Sequence, residues 1–199
     1  DWSFHDGLYL PWFSSVKTAR TLRKLVVKKT FPGRRLSGCV QHDEPRIGVL
    51  DRLETRHLLN HRDIVKGIQS LVSTPVRYAL FETATFSDQI DFFSSVDILV
   101  SPHGAQLSGA AFLPSCGQVL ELLPRYYHCQ FFFGTLTTSA GSTASYLYLS
   151  DENAQLEMKN ITTHEARRLA RSVQLCPPIP PILSAVKELI QKWMTCCRK

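Results

Sequence analysis

The chain has 199 residues, 44% of them hydrophobic and 20% charged, with 10 Gly and 11 Pro, a composition that excludes disordered and collagen-like chains. At this length roughly 70% of the unfolded surface can be buried on folding, so one domain with its own core needs no metal or disulfide to hold it together. Net charge is +6, and it is unevenly spread: from Lys17 to Arg35 there are eight Lys or Arg and no acid, and the first acid after Asp6 is Asp43.

A basic stretch of this kind attracts phosphates of any origin, or serves only as a solvated helix face. No RNA- or DNA-reading motif accompanies it, so nucleic acid is not an expected partner. No run of about 18 apolar residues and no charged-then-apolar leader is present, so neither a membrane span nor a signal peptide is expected. The chain opens on Asp1 rather than Met, which reads as a piece of a longer precursor with any membrane anchor upstream. Six cysteines (Cys39, Cys116, Cys129, Cys176, Cys196, Cys197) form no C-x-x-C pair, which leaves structural disulfides or buried thiols. Asn160-Ile161-Thr162 is an N-glycosylation acceptor, and with the even cysteine count it tilts the compartment toward the secretory lumen.

In chain order, an aromatic, turn-rich opening leads to Ser14-Ser15, which can cap a helix running to about Lys29. Its expected apolar stripe is Trp12, Val16, Ala19, Arg23 and Val26, widened by Phe13, Leu22 and Leu25. Short apolar runs then alternate with helical stretches. The expected strands are Ile47–Leu50, Val76–Leu80, Ile98–Val100, Val119–Leu123 and Tyr146–Leu149. The expected helices are Arg56–Val72, a shorter one around Ser87–Ser95 capped by Ser87, and one from about Tyr127 to Thr138. This alternation predicts an α/β fold, a Rossmann-like parallel sheet with right-handed crossovers and helices on both faces. Beyond Asp151 the chain is polar as far as Cys176-Pro177-Pro178-Ile179-Pro180-Pro181, expected to be an extended connector. A last helix follows, with Ile182, Leu183, Val186, Leu189, Ile190 and Trp193 at helical spacing. The organisation expected is residues 1–44 as an amino-terminal helix and basic loop, 45–150 as the Rossmann-like domain, and 151–199 as polar loop, Pro-rich connector and carboxyl-terminal helix.

The most informative stretch runs from Asp97 to Pro114. An apolar strand enters Ser101-Pro102-His103-Gly104-Ala105 and then small residues able to start a helix. Ligands of open α/β sheets collect at the carboxyl ends of strands, where free N–H groups face an anion. Gly104 and Ala105 let a phosphate approach the backbone, and His103 can donate a hydrogen bond to it. The plainer alternative is a tight turn with His103 satisfied by a carbonyl. Arg52 and Arg56, four apart at the start of a helix, offer planar donor forks suited to phosphate, or salt bridges to Asp51, Glu54 or Asp63.

Glu82 and Glu121 stand at or within strands, where either could hold a ribose hydroxyl or act as a base. A buried Glu121 must be paired or protonated. His57 and His61, at i and i+4, lack the Glu of a zinc-peptidase motif. There is no Asp-x-Asp pair, so no metal ligand set is evident and protein cations would have to neutralise a diphosphate.

The run Ser101-Pro102-His103-Gly104-Ala105-Gln106-Leu107, followed by Ala110-Ala111-Phe112-Leu113-Pro114 and Val119-Leu120-Glu121-Leu122, closely resembles the hallmark of glycosyltransferase family 61. Arg52 with Arg56-His57-Leu58-Leu59-Asn60 is similar to that family's paired arginine pattern, with Leu50-Asp51 where a small residue is usual. The resemblance spans roughly residues 45–150. It implies a two-domain GT-B architecture, of which this chain is mainly the carboxyl-terminal, donor-binding half. It further implies an inverting mechanism, a nucleotide-sugar donor, usually a UDP-sugar, and no obligatory metal or other cofactor. The acceptor would be a protein or polysaccharide hydroxyl, in the Golgi or endoplasmic reticulum lumen. The donor-site residues this assigns are Arg52, Arg56, Glu82, Ser101, His103, Gly104 and Ala105, with the base in the amino-terminal domain, outside this chain. The alternative from another class is a non-catalytic lumenal or secreted binding module that keeps the sheet but not the transfer.

Overall fold

The computed structural model describes residues 11–34, 43–124, 127, 130–149 and 164–198. The Asn160 acceptor and the boundary at residue 150 lie outside them. Five strands form one parallel sheet: β1 (Ile47–Asp51), β2 (Arg77–Leu80), β3 (Ile98–Pro102), β4 (Gln118–Leu123) and β5 (Thr143–Tyr148), in the spatial order β2-β1-β3-β4-β5. The three central strands β1, β3 and β4 are buried at every position, which is why they read as unbroken apolar runs. The edge strands β2 and β5 are only partly covered.

The helices are α1 (Val16–Thr30), α2 (His61–Gln69), α3 (Phe86–Ser95), α4 (Gln130–Ser139), α5 (His164–Ser172) and α6 (Ile179–Cys197), with a 3₁₀ segment at Ala105–Phe112. One face of the sheet is covered by α2 and α6, whose Ile64, Ile68, Ile182, Val186, Leu189 and Trp193 pack on Ile47, Val49, Ile98 and Leu120. The other is covered by α3, the 3₁₀ segment and α4 through Phe92, Phe93, Leu107, Phe133 and Leu136. Helices on both faces and a strand order that reverses between β1 and β3 make a doubly wound, Rossmann-like α/β fold, with its ligand crevice expected at that reversal.

Several expectations are corrected. Helix α2 begins at His61 rather than Arg56, because residues 51–60 form a knotted loop and Arg56 takes a left-handed φ of 59°. Helix α3 is capped by Thr85, not Ser87: the Thr85 hydroxyl accepts from Asp88 N while Asp88 accepts from Thr85 N, a closed capping box. The Pro-rich stretch is not an extended connector throughout. Helix α6 starts at Ile179 with Pro180 and Pro181 in its first turn, where the missing N–H groups would have had no intrahelical partner anyway. Helix α5 lies in a stretch expected to be loop. Helix α1 buries a narrow seam of Ala19, Arg23 and Val27, and leaves Leu22 and Leu25 exposed. A disulfide joins Cys116, in the turn before β4, to Cys196 near the end of α6. No helix among the described residues is long and apolar enough to cross a membrane.

Candidate functional site

Three loops meet at the carboxyl end of the sheet, and each is set by the strand it follows. The loop after β1 is organised by Asp51, which is fully buried. Its Oδ1 accepts from the N–H groups of Arg52 (2.7 Å) and Leu58 (2.9 Å). Its Oδ2 accepts from the Tyr78 hydroxyl at 2.9 Å and lies 2.9 Å from His57 Nδ1. A buried carboxylate with its lone pairs filled this way fixes the loop in one conformation. The segment after α5 locks it from outside: Arg56 N donates to Val173 O at 2.7 Å, Leu59 N to Leu175 O at 2.8 Å and Leu175 N to His57 O at 2.8 Å.

Arg52 projects from this loop across the reversal point to the loop after β3. Its Nε donates to Thr55 O at 2.8 Å and its Nη1 to Gln106 Oε1 at 2.6 Å. Gly104 lies directly beneath that pair, and a Cβ there would collide with Gln106 Oε1 and Arg52 Nη1. A side chain at this position would therefore displace the Arg52–Gln106 pair. Ala105 is exposed at the start of the 3₁₀ segment, and the first N–H of that turn taken within the chain is Leu107's, by Gly104 O. Arg52, Glu82, Ala105 and Gln106, with Asp51, Phe81, Gln89 and Ser108, line an open cleft of about 280 Å³. Glu82 holds the loop from its far side, accepting from Leu53 N at 2.7 Å.

Arg56 behaves differently. It is buried, at 8% exposure, yet its guanidinium makes no hydrogen bond or ion pair among the described residues, and its Nε is sealed without a partner. Burial, reinforced by the like charges of Arg52 and Arg171, lowers its pKa from 12.5 to about 10, so it stays cationic at neutral pH. A buried cation flanked by cations and lacking an acceptor is costly.

The loop after β3 adds His103, which is 6% exposed. Its Nδ1 lies 2.5 Å from Glu121 Oε1 on β4, and the ring contacts Tyr127 (4.9 Å between centroids) and Phe133 (5.3 Å). Burial raises the Glu121 pKa, while the hydrogen bond and charge of His103 pull it back. Ser101 does not reach the cleft: it is fully buried and its Oγ donates to Pro102 O at 3.1 Å.

Of the residues singled out in the sequence, Arg52, Glu82 and Ala105 line the cleft, whereas Arg56, His103 and Gly104 follow the carboxyl ends of the same strands without being among its lining residues, and Ser101 is buried beneath. Asp51, Gln106, Tyr127 and Arg171 were not singled out. Asp51 carried a signal, a carboxylate ending an apolar strand; Arg171 carried none.

A cation site is conceivable at Asp51, His57 and His61, whose ligating atoms lie within 4.8 Å of one another. The donor set does not suit one, because both Asp51 oxygens are already engaged and His57 Nδ1 and His61 Nδ1 face the carbonyls of Arg52 and Leu58.

Residues 8–120 match the family model of glycosyltransferase 61. The chain belongs to this family. It is 30% identical over 126 residues to protein O-linked-mannose beta-1,4-N-acetylglucosaminyltransferase 2 of Bos taurus, an alignment covering 62% of this chain and 21% of that protein. The protein of the same name from Tetraodon nigroviridis is 32% identical over 127 residues, covering 64% and 21%. The one from Homo sapiens is 33% identical over 81 residues, covering 41% and 14%. The chain thus spans about a fifth of the length of the curated relatives it matches over most of its own. The family match begins nearer the amino terminus than the motifs suggest, at residue 8, and ends at residue 120, so Glu121, Tyr127 and Arg171 fall beyond it.

Proposed function

We propose that this chain is the donor-binding half of an inverting GT-B glycosyltransferase that takes a nucleotide sugar, a UDP-sugar by preference, and passes the sugar to a protein or polysaccharide hydroxyl. The observation that carries the proposal is the buried, unpartnered guanidinium of Arg56, set beside Arg52 at the strand-order reversal. Inverting transfer is an in-line displacement at the anomeric carbon. As the bond to the leaving group stretches, negative charge grows on the departing diphosphate. Donors fixed in advance around that charge lower the barrier, each by roughly 3 kcal/mol by analogy with oxyanion holes.

In this reading Arg52, Arg56, His103 and the N–H groups of Gly104 and Ala105 hold the diphosphate, and the exposed carboxylate of Glu82 meets the nucleoside. Ser101 acts beneath them by shaping the turn. The cations do what a metal does in other transferases, so no metal is invoked. The acceptor site and the base belong to a second domain of the same protein, and the Cys116–Cys196 bridge suits the oxidising Golgi or endoplasmic reticulum lumen. A non-catalytic module has no use for an uncompensated buried Arg56, and no observation favours that reading.

The test is titration calorimetry of this chain with UDP and a panel of UDP-sugars, backed by thermal shifts. Arg52→Ala, Arg56→Ala and His103→Ala are each expected to cost about 2 kcal/mol of binding, roughly thirtyfold in affinity, with an unchanged circular dichroism spectrum. Sugar transfer by this chain alone is expected to be negligible. UDP affinity left unchanged in all three variants overturns the assignment, and robust transfer by the chain alone overturns the placement of the base.

A further inference from the structure

We propose that Glu121 is a positioning residue of the nucleotide site: its buried carboxylate holds the His103 ring with Nδ1 turned inward, so that Nε2 is presented as the hydrogen-bond donor to the diphosphate. The proposal rests on the diphosphate reading of the site and adds to it the role of Glu121.

Glu121 and His103 face each other across neighbouring strands. Ser101 pairs with Glu121 and Pro102 with Leu122 in the β3–β4 register, and His103 N continues the ladder by donating to Leu122 O at 2.9 Å. The backbone therefore fixes where the ring starts. The 2.5 Å spacing between Nδ1 and Oε1 requires a proton between them. With that nitrogen committed, the ring flip that would exchange Nδ1 and Nε2 is blocked by the loss of a buried hydrogen bond. Tyr127 and Phe133 pack against the ring. Nε2 makes no hydrogen bond with any described residue, so it is the polar atom the ring has left to offer.

The charged neighbours favour one protonation pattern. Glu121 is 2% exposed, and a carboxylate so placed is tolerated when a cation matches it. Tyr146, on β5 beside Glu121, is a neutral phenol, its pKa pushed up to about 12 by burial and by the Glu121 charge. Arg56 stays cationic and meets no carboxylate among the described residues. An imidazolium on His103 makes the His103–Glu121 pair neutral overall, supplies a second N–H at Nε2, and is favoured further when a diphosphate arrives. The role is analogous to the second-shell carboxylates that orient metal-bound histidines, whose loss weakens binding by about tenfold or more.

The experiment measures UDP affinity of this chain at pH 5.5 and 7.5 for wild type, Glu121→Gln, Glu121→Asp, His103→Ala and the double variant Glu121→Gln/His103→Ala. Glutamine keeps the shape and the acceptor and removes the charge. Without that charge the ring is no longer held with Nδ1 inward, at an expected cost of about tenfold in affinity. Glu121→Gln is thus expected to bind UDP about tenfold more weakly than wild type. Glu121→Asp is expected to recover part of the loss, and Glu121→Gln to cost nothing in the His103→Ala background.

Equal affinity of Glu121→Gln and wild type at both pH values overturns the proposal, as does an undiminished cost in the His103→Ala background. If His103→Ala itself leaves UDP binding intact, the diphosphate reading fails with it, so the two failures are distinguishable. Should Glu121→Gln not fold, ¹⁵N-histidine spectra of the wild-type chain decide: a protonated, hydrogen-bonded Nδ1 on His103 is expected, and a bare Nδ1 with the proton on Nε2 overturns the assignment.

Discussion

Strands β1 and β3 lie side by side, and their two ends handle charge in opposite ways. At the amino end Arg46 precedes β1 and Asp97 precedes β3. The Arg46 Nε, Nη2 and backbone N all donate to the Asp97 carboxylate, at 2.8, 2.9 and 2.9 Å. Arg23 is drawn to the same region: burial lowers its pKa to about 10, Asp97 offsets part of that, and its Nε donates to Phe112 O at 3.1 Å. At the carboxyl end Arg52 has only neutral acceptors and Arg56 has none among the described residues, while the buried carboxylates there are engaged elsewhere, Asp51 by N–H groups, Tyr78 and His57, and Glu121 by His103. The amino end thus holds one matched pair, Arg46–Asp97, beside an Arg23 whose Nη2 is buried and as unpartnered as Arg56 Nε, whereas at the carboxyl end neither Arg52 nor Arg56 meets a carboxylate among the described residues.

The sharpest way to break this contrast is to unmatch the amino end. Asp97→Ala removes the carboxylate that accepts three hydrogen bonds from the partly buried Arg46 and is expected to cost about 4 kcal/mol in urea unfolding. The UDP affinity of the folded fraction should stay within about twofold of wild type. Affinity that falls in step with stability would show that the two ends are not separable.

The converse substitution acts at the carboxyl end. Because burial holds the Arg56 pKa below 12.5, at about 10, the unfolded state binds that proton more tightly, and the charge destabilises the native state at neutral pH. The cost is relieved as pH rises from about 10 toward 12.5. Arg56→Met keeps the bulk without the charge. It is expected to stabilise the ligand-free chain by about 2 kcal/mol, roughly 4 to 8 °C in melting temperature, while UDP binding is largely lost. A melting temperature that falls instead would mean that Arg56 has an acceptor after all.

The same contrast explains what could be read from the sequence. The parallel sheet was legible because β1, β3 and β4 are covered on both faces, which forces continuous apolar runs, and because helices of helical periodicity separate them. The turn at Ser101–Ala105 was legible because a strand passing straight into Pro-His-Gly has few structural explanations. Helix α6 was misread at its start, since proline excludes helix interiors but not first turns. Helix α5 was missed because its apolar stripe, Ala166, Leu169, Ala170 and, just past its end, Val173, is short and built largely of alanine within a charged stretch. The Arg56 environment was invisible for a different reason. Helical spacing placed Arg52 and Arg56 on one helix face, whereas Asp51 ties residues 51–58 into a loop through hydrogen bonds to Leu58 and Tyr78 that no local pattern announces. Glu121 was flagged as a buried acid needing a partner, but only the register of β3 on β4 identifies that partner as His103.

Arg171 gives the smallest effect and the finest test. It sits at the end of α5, just before the residues that strap the β1 loop, and its charge acts on Arg56 through space. It makes no ion pair among the described residues. A cation at that range adds to the field on a bound diphosphate without touching it, and such a contribution is screened by salt, unlike the contacts of Arg52 or Arg56. Arg171→Ala is therefore expected to weaken UDP binding only about threefold at low ionic strength. The difference from wild type should vanish near 0.5 M salt, where the screening length is only a few ångströms. A loss above tenfold that survives high salt would place Arg171 in direct contact with the phosphate and extend the cationic wall from the loop after β1 to the carboxyl-terminal segment. No loss at any salt concentration would confine that wall to the two strand ends where the sheet order reverses.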